Sequence, residues 1–423
     1  MDTPLHDPKA FSMHADASVP FNVNLLRALA ENPADAGAYH DAAVQLRELG
    51  NAPAALRLLR RTHLIAPDNA GTRVTIANVY EDLGRYERAL AILTDVHGRA
   101  PKLHLAQYRL GMLRFRFGHD DRAAWEEMEA RSNNVRFQRS TDYPPSYTPW
   151  DGQQLPDRAL VVYGEGGYGD VIAFTRFLPR AAALCGQVVF VLKFPLAKLV
   201  AESFAPIGNL LVNPTHPVLP VGGRLLAMSL PHALRDADPG IAVDGPYLRA
   251  DPRLRARWLE RLPPDGRQRV GVFWRTAVPG KSLPPELLAP LAIPGEVALC
   301  SLLPTPSAEE RVALDTLGIR WFDDLAADAG SFAQTAGLIA GLDAVVTIDS
   351  AVAHLAGAMG VPTLLLLPFN GDWRWRRGPT TDWYTSIRIF RQPRAGAWAP
   401  AVAQAAAFLS SLRKGGAAAG GWP

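Results

Sequence analysis

Two periodicities divide the chain. Up to about residue 130 the apolar positions recur at helical spacing, and the marks between helices repeat. Gly50, Gly84 and Gly118 are 34 residues apart, as are Ala55, Ala89 and Ala123, and Pro33, Pro67 and Pro101 keep the same step. Each mark has a steric reason: glycine ends a first helix, alanine lets a second cross it closely, and proline stops that second helix. From Arg158 the pattern changes to short, nearly continuous apolar runs separated by helical stretches. The runs are ALVVYG (159–164), QVVFVLK (187–193), NLLVN (209–213) and LLAMS (225–229), then RVGVFWR (269–275), VALCSLL (297–303), IRWF (319–322), AVVTID (344–349) and TLLLLP (363–368). Such runs predict strands of parallel sheets covered on both faces. Helices are predicted around 170–184 and 195–204, with a closing helix over 399–412. The stretch DPRLRARWLERLPPDGRQ separates two such blocks, which implies two α/β units facing a cleft.

The resulting division is a helical array over 1–135, a Pro-rich connector over 136–157, α/β units over 158–255 and 256–398, the closing helix, and a Gly/Ala tail over 413–423 expected to be disordered. Composition narrows the picture. Of the 423 residues, 48% are apolar and 20% charged, the balance of a soluble globular protein. With 44 basic against 41 acidic side chains there is no electrostatic footprint for nucleic acid, and Arg57, Arg60 and Arg61 read as a solvated helix face. Cys185 and Cys300 lie far apart in apolar surroundings, without partners at metal-ligand spacing, so they read as small buried hydrophobes of a reducing compartment. The N-terminal MDTPLHDPKAFSMHADAS lacks the apolar centre of a secretory signal, and the longest apolar stretches are too short for a membrane span. A cytoplasmic protein is expected, able to work at the inner face of a membrane.

Three segments could carry chemistry. Gly164-Glu165-Gly166-Gly167-Tyr168-Gly169-Asp170 follows a strand and opens a helix, with the G-x-G-x-x-G spacing that lets backbone N–H groups approach an anion. A dinucleotide site would also need an acid after the second strand, for the ribose hydroxyls. That strand ends in Lys193-Phe194-Pro195, so the NAD reading loses its second element. Lys281-Ser282, after the first strand of the second block, would suit diphosphate oxygens, or Lys281 is a surface-loop residue. In TIDSAVAHLAGA (347–358) a buried strand ends in Asp349-Ser350 and a helix of small residues begins at once. Asp349 or Ser350 can cap that helix, whose first N–H groups then form an anion site. In the plainer reading Asp349 is an N-cap and His354 a satisfied interior histidine.

The 34-residue unit resembles tetratricopeptide repeats, whose concave face binds a peptide or a partner domain, or which here support the next domain. GEGGYGDVIAFTRFLP, then VGVFWR…GKSLP, then DAVVTIDSAVAHLAGAMGVPTLLLLP resemble glycosyltransferase family 9, the bacterial heptosyltransferases, over roughly residues 150–412. FNGDWRWRR and IRIFRQP resemble the subgroup in which that domain follows tetratricopeptide repeats. The resemblance implies an α/β GT-B fold of two Rossmann-like domains, with acceptor in the first and nucleotide-sugar donor in the second. It implies inverting transfer without a metal or a bound cofactor, the nucleotide-diphosphate sugar (ADP-heptose-like) being a co-substrate. Carried over by position, Asp170 is the catalytic base, with Gly166, Gly167 and Gly169 forming an acceptor-side glycine loop. Lys281 and Ser282 fall on the donor-phosphate loop. Asp349, Ser350, Ala351 and His354 fall on the second diphosphate turn, and Glu309 or Glu310 resembles the acid that holds the donor ribose.

Trp373 and Trp375, with Arg374 and Arg376, would stack on a base or sugar, or pack the closing helix against the domains. The first α/β block is short and has a Pro/Gly-rich middle, THPVLPVGG, so part of acceptor recognition falls to the repeats and a lipopolysaccharide-core acceptor is in doubt. A glycan or a protein is the expected acceptor. The competing reading is a repeat scaffold that recruits a partner and carries a degenerate GT-B domain.

Overall fold

The computed structural model describes residues 24, 27, 30–118, 121–133, 149–236, 245–278, 280–326 and 331–414. Residues 136–148 of the expected connector and 415–423 of the expected tail lie outside them. Among the described residues the array contains three helical hairpins: α1 (Ala36–Glu48) with α2 (Ala52–Ile65), α3 (Ala70–Asp82) with α4 (Tyr86–Arg99), and α5 (His104–Phe117) with α6 (Asp121–Met128). A 3-10 turn, Glu129–Asn133, continues α6. The periodic glycines sit in the hairpin turns with φ of 78°, 69° and 69°, the left-handed geometry that glycine adopts without a Cβ penalty. Asp35, Asn51 and Asn69 cap α1, α2 and α3 by accepting backbone N–H groups. Ala55 and Ala89 are fully buried at the crossings. In the third hairpin Ala124 takes that place and Ala123 is half-buried, so the alanine register slips by one.

The first α/β unit holds β1 (Leu155–Tyr163), β2 (Cys185–Val191), β3 (Leu210–Val212) and β4 (Val221–Leu226), all parallel in the order β3-β2-β1-β4. Its longer helices are α7 (Tyr168–Phe174), α8 (Leu178–Leu184) and α9 (Phe194–Phe204), with one further helical turn at Leu230–Ala233. The second holds β5 (Gln268–Phe273), β6 (Val297–Ser301), β7 (Ala344–Ile348), β8 (Thr363–Leu367) and β9 (Ile387–Arg391), parallel in the order β6-β5-β7-β8-β9. Its helices are α10 (Pro252–Leu259), α11 (Ala308–Thr316), α12 (Phe332–Ile339), α13 (Ala351–Ala358) and α14 (Trp398–Lys414).

Several expectations shift. IRWF is not a strand: Arg320 makes a lone bridge to Cys300. Residues 227–229 form a 3-10 turn, not the end of a strand. β1 takes Leu155, Pro156 and Asp157 from the expected connector. The boundary at 255/256 falls inside α10, whose buried Trp258 donates to Gln334 Oε1 of α12 at 3.2 Å and so joins the second unit.

One apolar core runs from Phe115 and Trp125 of the array, through the helices of the first sheet, to α13 and Tyr384 of the second unit. The other face of the second sheet has its own core under α14, with Ala401, Val402, Ala405 and Leu409 buried. Parallel sheets bind ligands outside the carboxyl ends of their strands, where the strand order reverses. Those points lie between β1 and β4 and between β5 and β7.

Candidate active site

The glycine loop after β1 closes on itself. Gly166 has φ 74°, and a Cβ there would run into the Asp170 carboxylate. Gly167 donates its N–H to Asp170 Oδ2 at 2.7 Å, so Asp170 caps its own helix from the third position. Asp170 Oδ1 accepts from the Arg374 guanidinium. Gly169 has a separate reason: a Cβ there would lie 2.7 Å from His354 Cδ2 and 3.5 Å from the Ala351 Cα. The G-x-G-x-x-G spacing therefore serves one tight turn and one close helix crossing, α7 on α13. Glu165, inside the loop, points the other way and is fully buried. It accepts Arg131 Nε and Nη2 at 3.1 and 2.9 Å and the Met228 N–H at 2.9 Å.

The junction after β7 is built differently. Asp349 does not cap α13. It is buried beneath the turn, taking Lys281 Nζ at 2.6 Å on Oδ2 and Trp375 Nε1 at 2.7 Å on Oδ1. Ser350 occupies the N-cap position, but its hydroxyl bonds Thr347 Oγ1 at 3.2 Å and makes no capping bond. The first turn of α13 is thus left without a side-chain cap, the condition under which a helix end receives an anion. Burial works against the Lys281 ammonium, but Asp349, with Asp372 and Asp170, outweighs it and raises its pKa above the usual lysine range. Lys281 is therefore a cation with one N–H engaged by Asp349 and two donors left for a ligand.

Between these junctions lies a cleft of about 250 Å³. Phe273, Leu302, Leu325 and Phe332 give it apolar walls, Arg275, Thr276 and Ser350 polar ones, and Tyr168 reaches in from the first unit. The Tyr168 and Phe332 rings meet at 5.1 Å across the two units. Asp170, Lys281 and Asp349 are not among the residues lining the cleft, and neither is Ser282. Its hydroxyl donates to Thr276 O and accepts the Thr276 N–H, both at 3.0 Å, which closes the loop that presents Lys281 and leaves no proton for a phosphate. Glu310 caps α11 with Ser307 and also takes Trp274 Nε1 at 3.1 Å and Arg275 Nε at 2.9 Å. It orients Arg275 toward the cleft. Glu309 turns outward and accepts only the Ser307 hydroxyl among the described contacts.

His354 is buried, stacks on Trp375 at 4.7 Å, and shares a 2.9 Å hydrogen bond between Nδ1 and the Tyr384 hydroxyl. Burial and the nearby Arg374 push its pKa well below the usual histidine range, so the ring is neutral. That is the satisfied interior histidine of the plainer expectation.

Comparison with known proteins agrees with this architecture. Residues 46–114 match the family model for the tetratricopeptide repeat, and residues 291–389 match that for glycosyltransferase family 9 (heptosyltransferase). The chain carries tetratricopeptide repeats followed by a glycosyltransferase family 9 domain. Protein FlbA of Caulobacter vibrioides is 26% identical over 426 residues, covering 91% of this chain and 69% of that protein. Among solved structures, the glycosyl transferase family 9 from Veillonella parvula is 14% identical with a TM-score of 0.45, over 62% of this chain and 98% of that one. E. coli ADP-heptose lps heptosyltransferase II is 14% identical with a TM-score of 0.42, over 61% of this chain and 99% of that one. The family 9 match supports glycosyltransferase activity, which requires a nucleotide-sugar donor and an acceptor. Among the described residues no helix is long and apolar enough to cross a membrane.

In the family 9 domain the tryptophans after β8 pack, as one of the two expectations had it, but not on α14. Trp373 lies on Phe115 and Trp125 of the repeats, and Trp375 on His354. Sequence reading missed Arg374 as a partner of Asp170, and it missed the Arg131–Glu165 pair. The available signal for Arg374 was its place in WRWRR after a buried strand, where the site of a parallel sheet is expected.

Proposed function

We propose that this protein transfers a sugar from a nucleotide-diphosphate sugar to a glycan or protein hydroxyl, with inversion and without a metal, using Asp170 as base. The observation that carries the reading is that two unlike strand-to-helix junctions meet, Tyr168 of one and Ser350, Ala351 and Val352 of the other lining one cleft, with Asp170 and Lys281 next to those lining residues. One presents a carboxylate, the other an uncapped helix end beside a lysine ammonium. Asp170 takes the proton of the acceptor hydroxyl as its oxygen bonds to the anomeric carbon, and the bond from that carbon to the diphosphate oxygen breaks on the opposite side. The leaving diphosphate gathers negative charge, which the first N–H groups of α13 and the free N–H donors of Lys281 stabilise. Asp170 retains lone pairs for this: a carboxylate offers about four, and the Gly167 N–H and Arg374 engage two. The apolar walls of the cleft, with Arg275 at the rim, suit a nucleobase and its ribose.

A thermal-shift panel of ADP-, UDP-, GDP-, CDP- and TDP-linked sugars on the full chain, with NAD and NADP as controls, tests this. A rise with one diphosphate nucleotide, lost in Lys281→Ala, is the expected result. A panel in which none shifts the melting temperature sinks the donor site and favours a scaffold whose charged groups only neutralise one another.

A further inference from the structure

The segment between β8 and β9 faces two ways, residue by residue. Toward the repeats, the Phe369 ring fills the space that a Cβ on Gly84 would need. Asn370 Nδ2 donates to Asp82 Oδ1 at 3.0 Å, and Arg116 donates to Asn370 and to the Gly371 carbonyl. The Trp373 ring packs at a tilt against Phe115 at 4.9 Å, and Arg376 donates to Phe115 O and Asp121 Oδ2, each at 2.9 Å. Toward the cleft, Asp372 takes the Arg374 N–H and Nη1 at 3.0 and 2.9 Å, Arg374 Nη2 reaches Asp170, and Trp375 reaches Asp349.

We propose that residues 369–377 form a strut through which the repeat array sets the orientation of the Asp170 carboxylate, with Arg374 as the positioning residue. The inference rests on the reading of Asp170 as the base. Three features carry it. Arg374 is 4% exposed and clamped between two carboxylates over the Trp373 ring, so it cannot move without the segment. Arg376, two residues on, has φ 48°, a geometry that a non-glycine residue keeps only when its surroundings hold it. Its holders are the repeats' Phe115 and Asp121, together with Asp382 and Arg391. Finally, the three periodic glycines are not equivalent. A Cβ on Gly50 would meet open space, whereas at Gly84 and Gly118 it would strike Phe369 and Arg376.

The test is amide hydrogen exchange by mass spectrometry on the full chain, because the Gly167 N–H bonded to Asp170 reports the carboxylate directly. In Phe369→Ala/Arg376→Ala, exchange of both 164–175 and 368–378 is expected to rise roughly tenfold while the β7 amides keep their protection. Arg374→Gln should loosen 164–175 to the same degree, and Arg374→Lys should restore part of the protection by returning the charge. A variant in which 368–378 loosens and 164–175 does not would overturn the strut. If the double variant fails to fold, Arg377→Ala serves the same comparison: that residue is half exposed and meets the repeats through Glu87 and the Tyr86 and Phe117 rings. Retained sugar transfer in Asp170→Asn would instead remove the base reading, and it leaves the exchange comparison readable.

Discussion

The two strand-to-helix junctions that face the cleft each flank the switch point of their sheet, one after its first strand and one after the strand across from it, and they have opposite electrostatic outcomes. After β1, the glycine-rich turn folds its own Asp170 back onto the helix start, where the carboxylate accepts the Gly167 N–H and holds Arg374. After β7, the acid at the strand end is pulled below the turn by Lys281 and Trp375, and the helix start is left bare. The glycine spacing that most resembles an anion cradle is therefore the acidic side of the cleft, and the Asp-Ser turn is the basic side. What decides the sign is which residue the acid reaches: its own helix at N3, or a lysine from another loop.

The largest effect expected from breaking this contrast is on catalysis. Asp170→Asn keeps the shape of the turn but removes the proton acceptor, and should lower transfer by about 10²–10⁴ while leaving the diphosphate-dependent thermal shift in place. Retained turnover would exclude Asp170 as base. Next is the crossing of the two helices. Gly169→Val forces α7 off His354 and should cost roughly 1–3 kcal/mol in urea unfolding. Gly50→Ala, which meets only a backbone penalty, should cost about 1 kcal/mol. Equal losses at both sites would mean that the crossing is not tight.

Giving the second junction the character of the first is a smaller change in stability with an opposite change in binding. Ser350→Asp should add about 0.3–1 kcal/mol by answering the bare helix end, and should abolish the diphosphate shift. Gain of both stability and binding would contradict an anion site there. The smallest effect is on pH. The unfolded imidazole of His354 takes up its proton near 6.5, the buried one only at lower pH. Its contribution is thus fully present above about 6.5 and is lost as the pH falls from there. His354→Gln should flatten the acid side of a melting-temperature profile, leaving the part due to His232, whose pKa burial also lowers.

Local steric demands were legible in the sequence; long-range pairings were not. The 34-residue glycine step was readable because a left-handed turn admits little else, and the apolar runs were readable because strands buried on both faces need them. β9 was missed since IRIFR carries two arginines, which suit an edge strand but break the apolar run. IRWF was misread because three large apolar side chains in four looked like a strand, yet its neighbour β6 pairs with it only at Arg320. At the site, Asp170, Lys281, Asp349 and the start of α13 are brought together as their positions after parallel strands required. Ser282 and Glu310 instead hold loops, which no local pattern distinguishes from ligand contact. The Arg374–Asp170 pair spans 204 residues, and a single chain carries no mark of which arginine returns to which acid.

The buried Arg131–Glu165 pair sets where this molecule can be divided. Arg131 ends the last repeat, and Glu165 sits inside the glycine loop, with both side chains almost wholly removed from water. A cut at the visible seam near residue 150 would strand a carboxylate in the interior of the second piece, a loss of about 3–5 kcal/mol for a broken buried pair. For anyone exchanging repeat arrays between such enzymes, the portable unit begins at Glu129, inside what looks like the other domain.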